Sequence, residues 1–238
     1  MKTFKILGLL LAYPKPEIID HLDEMIAVLA QENLLPKRAL KKVTAFARSL
    51  QGRDIYEIQE DYVELFDRGR AHCLHLFEHI HGESRDRGQA MVNLVEAYGE
   101  KGFYITPGEL PDYLPLFLEF LSHCPAEEAT ELLGDPINVI GAIGIKLKKR
   151  KAPYAVIFEA LESLSRVKPD AAMMAEAKAA PVEELTAEDI DKDWEEAAAF
   201  DNTDVTGDDC NSCSAFPNAA EALKEFTDPA PLHLNGGQ

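Results

Sequence analysis

The sequence predicts an all-α protein: one helical bundle of about seven or eight helices, followed by an acidic and mostly disordered tail. Three observations carry this expectation. Apolar residues recur at helical spacing through the first two thirds of the chain. Prolines fall between those runs, where they punctuate helices. No run of alternating β-branched residues argues for a sheet.

Taken in order, the apolar stretch from Ile6 to Tyr13 reads as a first core helix. It is far short of the roughly 20 residues needed to cross a bilayer. Lys2 and Lys5 resemble a charged leader, but Tyr13-Pro14-Lys15-Pro16 is no small-residue cleavage site. Ile55, Ile58, Tyr62, Leu65 and Phe66 share a helical face, as do Met91, Leu94, Val95 and Tyr98. A third face holds Leu110, Leu114, Phe117, Leu118 and Leu121. Pro14, Pro36, Pro107, Pro125, Pro136 and Pro153 separate the runs. Gly82 and Gly102 stand where helix C-caps are expected. Asp112 is the expected N-cap of the third run, with Pro115 in its first turn, where a missing N–H is harmless.

Charge divides the chain. It carries 42 acidic and 24 basic side chains, a net of −18. Residues 1–168 hold 25 acidic and 21 basic groups; residues 169–238 hold 17 and 3. The second part is Ala-rich and acidic, and buries too little apolar surface to offset its chain entropy. The expected division is therefore a helical domain over 1–168 and a tail over 169–238. Within the tail, Ile190, Trp194, Ala197 and Ala198 form one weakly amphipathic piece. So acidic a surface repels phosphate backbones and anionic headgroups, which argues against nucleic acid and direct membrane insertion and in favour of a basic peptide. Four cysteines in a chain of this length give no disulfide framework, and reduced thiols in the cytoplasm are expected.

The densest chemistry lies between His72 and Arg87, where His72, His75, His79 and His81 fall within ten residues. On one continuous helix, His72, His75 and His79 would share a face. His75-Leu76-Phe77-Glu78-His79 also matches the H-x-x-E-H pattern of inverted zinc peptidases, with Glu78 as the base. No downstream motif nominates a third ligand, so a polar recognition surface is the favoured reading. In it, neutral imidazoles, Glu78, Glu83 and Asp86 face a peptide, while Leu74, Phe77 and Ile80 anchor the helix. Cys210-Asn211-Ser212-Cys213 is a C-x-x-C without the strand and helix that a redox motif needs. No phosphate loop, dinucleotide fingerprint or nucleophile elbow occurs. No cofactor and no catalytic residue is assigned.

Three blocks carry a resemblance. They are Tyr62-Val63-Glu64-Leu65-Phe66-Asp67-Arg68-Gly69-Arg70, the segment from Leu74 to Met91, and Glu109 to Leu121. Together they resemble the delta-subunit (NarJ) family of nitrate reductase assembly chaperones, within the wider TorD/DmsD group of redox-enzyme maturation chaperones. The resemblance implies an all-helical fold and no enzymatic activity. It implies binding to the N-terminal peptide of the catalytic (alpha) subunit of respiratory nitrate reductase. It further implies retention of the apoenzyme in the cytoplasm while the molybdenum cofactor and an iron–sulfur cluster are inserted, before membrane docking. Molybdenum cofactor delivery proteins are further partners it allows. Tyr62, Leu65 and Phe66 match the wider group's Tyr-x-x-Leu-Phe motif. Tyr113 stands where that group has histidine, so no nucleotide-binding role is carried over. The peptide-binding surface expected from these blocks comprises Tyr62, Leu65, Phe66, Arg70, His75, Glu78, His79, His81, Glu83, Arg85, Asp86, Arg87, Asp112, Tyr113 and Phe117.

Overall fold

The computed structural model describes residues 1–68, 70–81 and 85–181. Among them are twelve α-helices and no named strand. In chain order these are α1 (Lys2–Leu11), α2 (Pro16–Asp20), α3 (Leu22–Glu32), α4 (Lys37–Leu50), α5 (Ile55–Phe66), α6 (Leu76–His81), α7 (Arg85–Glu100), α8 (Leu114–His123), α9 (Ala126–Leu132), α10 (Ile137–Lys149), α11 (Ala155–Leu164) and α12 (Ala171–Ala179). The all-helical expectation holds, but the number of helices is higher. Several extra elements, such as α2, α6 and α9, are too short to display a hydrophobic period.

The first apolar stretch is indeed a core helix. α1 buries Phe4, Ile6, Leu7, Leu10 and Leu11, and is apolar on most sides because helices surround it. Its closest neighbour is α8. A Cβ on Gly8 would lie 2.9 Å from the Pro115 carbonyl oxygen and 3.2 Å from Leu118 Cβ, so the missing side chain sets the spacing of the two helices. The start of α1 is capped from a distance. The Glu32 carboxylate, at the end of α3, accepts from Lys2 N–H at 2.8 Å, and from Thr3 N–H and the Thr3 hydroxyl at 2.7 Å each. Burial works to raise the Glu32 carboxyl, and these donors overcome it to leave it below its ordinary value.

The prolines act as expected. Pro16 opens α2, Pro36, Pro125 and Pro136 sit at the N-caps of α4, α9 and α10, and Pro115 lies in the first turn of α8. Gly102 closes α7 with φ +73°, and Phe103 N–H reaches back to the Tyr98 carbonyl at 3.0 Å, a Schellman turn. Gly82 lies outside the described residues.

An aromatic chain runs through the core. Tyr13 meets Tyr62 edge-on at 5.6 Å, Tyr62 meets Phe66 at 4.9 Å, and Phe66 meets Tyr154 at 5.1 Å. Pairs at such distances add modestly to the area they bury.

Helical structure continues past Lys168. Asp170 caps α12 by accepting from Ala172 and Met173 N–H. α12 then packs on α10, where a Cβ on Gly141 would meet Met174 Sδ at 2.8 Å. An alanine-rich segment looks weakly apolar in composition, yet alanine favours helix and needs little area to seat closely. The cluster of Ile190, Trp194, Ala197 and Ala198, and the Cys210–Cys213 motif, lie outside the described residues.

Two outcomes follow. Gly8→Ala is expected to destabilise the protein by about 1–3 kcal/mol through overpacking against the α8 backbone, read as a lower urea midpoint. A chain ending at Lys168 should melt at lower temperature than the full chain, because α10 loses its α12 cover.

Candidate functional site

The segment from Arg70 to Arg87 and the loop before α8 meet around one buried carboxylate. Asp112 is 0 % exposed. Its expected role as the α8 cap is not what the structure shows, because the α8 N-cap is Tyr113 and makes no side-chain cap bond. Asp112 instead caps α6. Its Oδ2 accepts from Phe77 N–H at 3.1 Å and its backbone carbonyl accepts from Leu76 N–H at 3.0 Å. Leu114 N–H returns the contact to the Leu74 carbonyl at 2.8 Å, making an isolated antiparallel bridge between His75 and Tyr113. His75 Nδ1 lies 3.4 Å from Asp112 Oδ1, and an Arg87 guanidinium nitrogen 3.8 Å from Oδ2. Burial favours the neutral acid, but the His75 bond and charge, the Phe77 N–H and Arg87 together hold the Asp112 carboxyl below the usual carboxylate range.

A half-exposed polar rim surrounds this anchor. Arg87 also lies 3.9 Å from Glu78 Oε2, which accepts from the Cys73 thiol at 3.1 Å. Burial, reinforced by Glu78, pushes that thiol up to about 12, so it remains a protonated donor. Arg87 Nε is buried and has no hydrogen-bond partner among the described residues. Tyr113 packs on His75 with ring centroids 5.3 Å apart. Its hydroxyl lies 3.2 Å from that of Tyr62, which donates to the Leu11 carbonyl at 3.0 Å. The Tyr62 proton is thus committed, and Tyr113 donates to Tyr62. Tyr98 donates to the Pro111 carbonyl at 2.8 Å and fixes the loop from below.

The four histidines do not form one helical face. His72 is buried in a 3₁₀ turn (Arg70–His72), His75 lies in the bridge, and only His79 and His81 belong to α6. Tertiary pairing with Tyr113 breaks the helix that sequence spacing anticipated. The H-x-x-E-H pattern loses its geometry for the same reason. His79 Nε2 donates to the Cys73 carbonyl at 2.8 Å, so both imidazoles of the pattern already serve the backbone or Asp112. Burial lowers the pKa of His72 to about 4 and also lowers that of His79, which keeps both neutral at pH 7.

The other expected site residues separate by burial. Phe66 and Phe117 are core residues, as is Tyr62 apart from its hydroxyl contacts, while Leu65 is partly buried over a neighbouring groove. Arg70 and Asp86 are exposed. Ile80 was expected to anchor α6 and is instead 52 % exposed. Glu83 and the side chains of His81 and Arg85 lie outside the described residues. Tyr13, Cys73 and Tyr98 belong to the site without having been expected there. Tyr13 read as the end of an apolar helix, and Tyr98 only as a core position.

The family model for the nitrate reductase delta subunit matches residues 32–160. The chain belongs to the nitrate reductase delta subunit family. Relatives agree. The nitrate reductase molybdenum cofactor assembly chaperone NarJ of Escherichia coli (strain K12) is 41 % identical over 191 residues, covering 80 % of this chain and 81 % of the relative. The probable assembly chaperone NarW of the same strain is 32 % identical over 235 residues, covering 99 % and 97 %. The probable assembly chaperone NarJ of Bacillus subtilis (strain 168) is 30 % identical over 166 residues, covering 68 % and 89 %. The delta subunit match spans Asp112 and the groups that bond to it, His75, Phe77 and Arg87, whereas Tyr13 of the rim precedes the matched residues.

Asp112→Asn is expected to cost about 1–3 kcal/mol at pH 7, because the hydrogen bonds to His75 and Phe77 N–H lose their charged acceptor and the Arg87 ion pair is lost. A depressed folded pKa contributes stability above the unfolded value near 3.9, and that stability is lost as pH falls through the folded pKa. Urea melts should therefore show wild type and variant converging below about pH 4.

Proposed function

We propose that this protein is an assembly chaperone for respiratory nitrate reductase. It binds the N-terminal peptide of the catalytic subunit and keeps the apoenzyme in the cytoplasm during molybdenum cofactor and iron–sulfur insertion, until membrane docking. The family match over residues 32–160, together with a relative named as an assembly chaperone that covers 80 % of this chain, is the observation that carries this reading. Molybdenum cofactor delivery proteins are secondary partners in it, and the chain itself performs no catalysis.

The rim around Asp112 suits peptide recognition. It offers Glu78 and Asp86 to a basic peptide and the rings of Tyr13, His75 and Tyr113 to apolar side chains. Anchoring by Asp112 holds these groups in place before the peptide arrives, which lowers the entropic cost of binding. Phe66 and Phe117 support the surface from beneath. No helix among the described residues is long and apolar enough to cross a membrane, consistent with a role completed before docking. The rival reading, a zinc hydrolase at His75, Glu78 and His79, requires as ligands two imidazoles that already serve Asp112 and the Cys73 carbonyl.

Calorimetry against the first ~15 residues of the catalytic subunit, about four helical turns, tests the proposal. Saturable binding is expected. Glu78→Gln should weaken it about tenfold, equivalent to roughly 1.4 kcal/mol, with little change in melting temperature. No binding to the wild-type protein would refute the peptide assignment. Normal binding by Glu78→Gln would move the surface away from this rim. Stoichiometric zinc lost on His75→Ala would favour the hydrolase instead.

A further inference from the structure

A second groove lies between α4, α10, α11 and α12, and shares no lining residue with the Asp112 rim. It encloses about 770 Å³. Ala39, Gly144, Ile145 and Met174 supply apolar lining. Gly144 lets α11 approach α10, since a Cβ there would lie 2.9 Å from Phe158 Cβ.

The charge of the groove opposes that of the chain. Arg38, Lys42, Lys148, Lys149 and Lys178 line it against Glu159 and Glu162 alone. In the whole sequence, acidic groups outnumber basic ones 42 to 24. The two carboxylates do not neutralise the five cations. Lys42 and Lys148 share Glu159 as a single partner. Lys149 is held by the Ala177 and Ala180 carbonyls, which carry no net charge. Arg38 and Lys178 are exposed and form no ion pair among the described residues. Burial, and then the charge of Glu159, raise the Glu162 carboxyl above its ordinary value.

We propose that this groove docks a carboxylate-rich segment of a partner protein. Five cations against two carboxylates attract an acidic segment to this groove, and their placement on α4, α10 and α12 fixes the orientation in which it attaches. The cations are distributed over three helices along an open trough. Its volume greatly exceeds the ~30 Å³ share of a single water molecule, so a small anion would leave most of it empty. The apolar lining gives side chains between the carboxylates a place to settle. This proposal stands independently of peptide binding at the Asp112 rim.

Fluorescence anisotropy of the full chain with a labelled peptide of repeated Asp-Glu-Leu tests it, with an Asn-Gln-Leu repeat as the neutral control. The acidic peptide should bind at least tenfold more tightly than the control, and its affinity should fall as salt is raised. The pair Arg38→Glu and Lys178→Glu should weaken binding about tenfold or more with the melt unchanged, since both side chains are exposed. If that reversal disturbs the melt, the neutralising pair Arg38→Gln and Lys178→Gln reads out the same loss. Equal binding of the two peptides would overturn the proposal, as would wild-type affinity in the substituted protein. Displacement by an equal concentration of inorganic pyrophosphate would overturn it in favour of a small-anion site.

Discussion

A carboxylate withdrawn from water must either gain a proton or be surrounded by donors, and Asp112 is surrounded. Phe77 N–H, His75 and Arg87 come to it from a segment that begins some 35 residues earlier in the chain. That requirement explains several features at once. The start of α6 must point at the loop before α8, where a negative charge also suits the helix dipole. The backbones on either side must pair, which produces the His75–Tyr113 bridge. Arg87 must stand at the start of α7, which brings that end of the helix to the same point.

α7 shows how little else is needed. Of its described side chains only Tyr98 is fully buried, and Val92 and Val95 are largely exposed. The helix is held near its two ends: Arg87 faces Asp112, while Tyr98 bonds to Pro111, one residue before Asp112. Both ends therefore report to the same loop. Leu76 and Tyr98 join the core and Phe77 and Leu94 pack against it, but α6 and α7 expose more of their surface than α1 and α8 do. Surfaces that accept a client are drawn from such regions, because reshaping them does not require breaking the core.

The two proposed surfaces differ in how charge is used. Around Asp112, charges are matched one to another and largely desolvated, so they fix geometry. In the groove beside α12, cations exceed carboxylates and stand in water, so they steer approach more than they hold shape. Two adjacent lysines illustrate the contrast within one helix. Lys148 reaches across to Glu159, whereas Lys149 turns to the carbonyls that end α12.

The sequence by itself determined the helices whose burial is periodic. α5 and the α8 face from Leu114 to Leu121 followed from spacing, because a helix in contact with a core must repeat its apolar residues every three to four positions, whereas Val95 and Leu110, read onto the α7 and α8 faces by the same spacing, are exposed. The Gly102 cap and the prolines at helix starts were legible for an equally local reason, the φ angle each residue permits. The composition of the site was legible too, since so many charged and imidazole groups cluster within a few residues of one another. Its connections were not. Only the tertiary structure decided that Asp112 caps α6 and not α8, that His72 and His75 stand outside the helix of His79, and that Ile80 faces outward. It alone decided that an alanine-rich stretch after Lys168 docks on α10 as α12. Each of these depends on a partner far along the chain, and residue type and local spacing record that a group needs a partner without recording which one the fold brings to it.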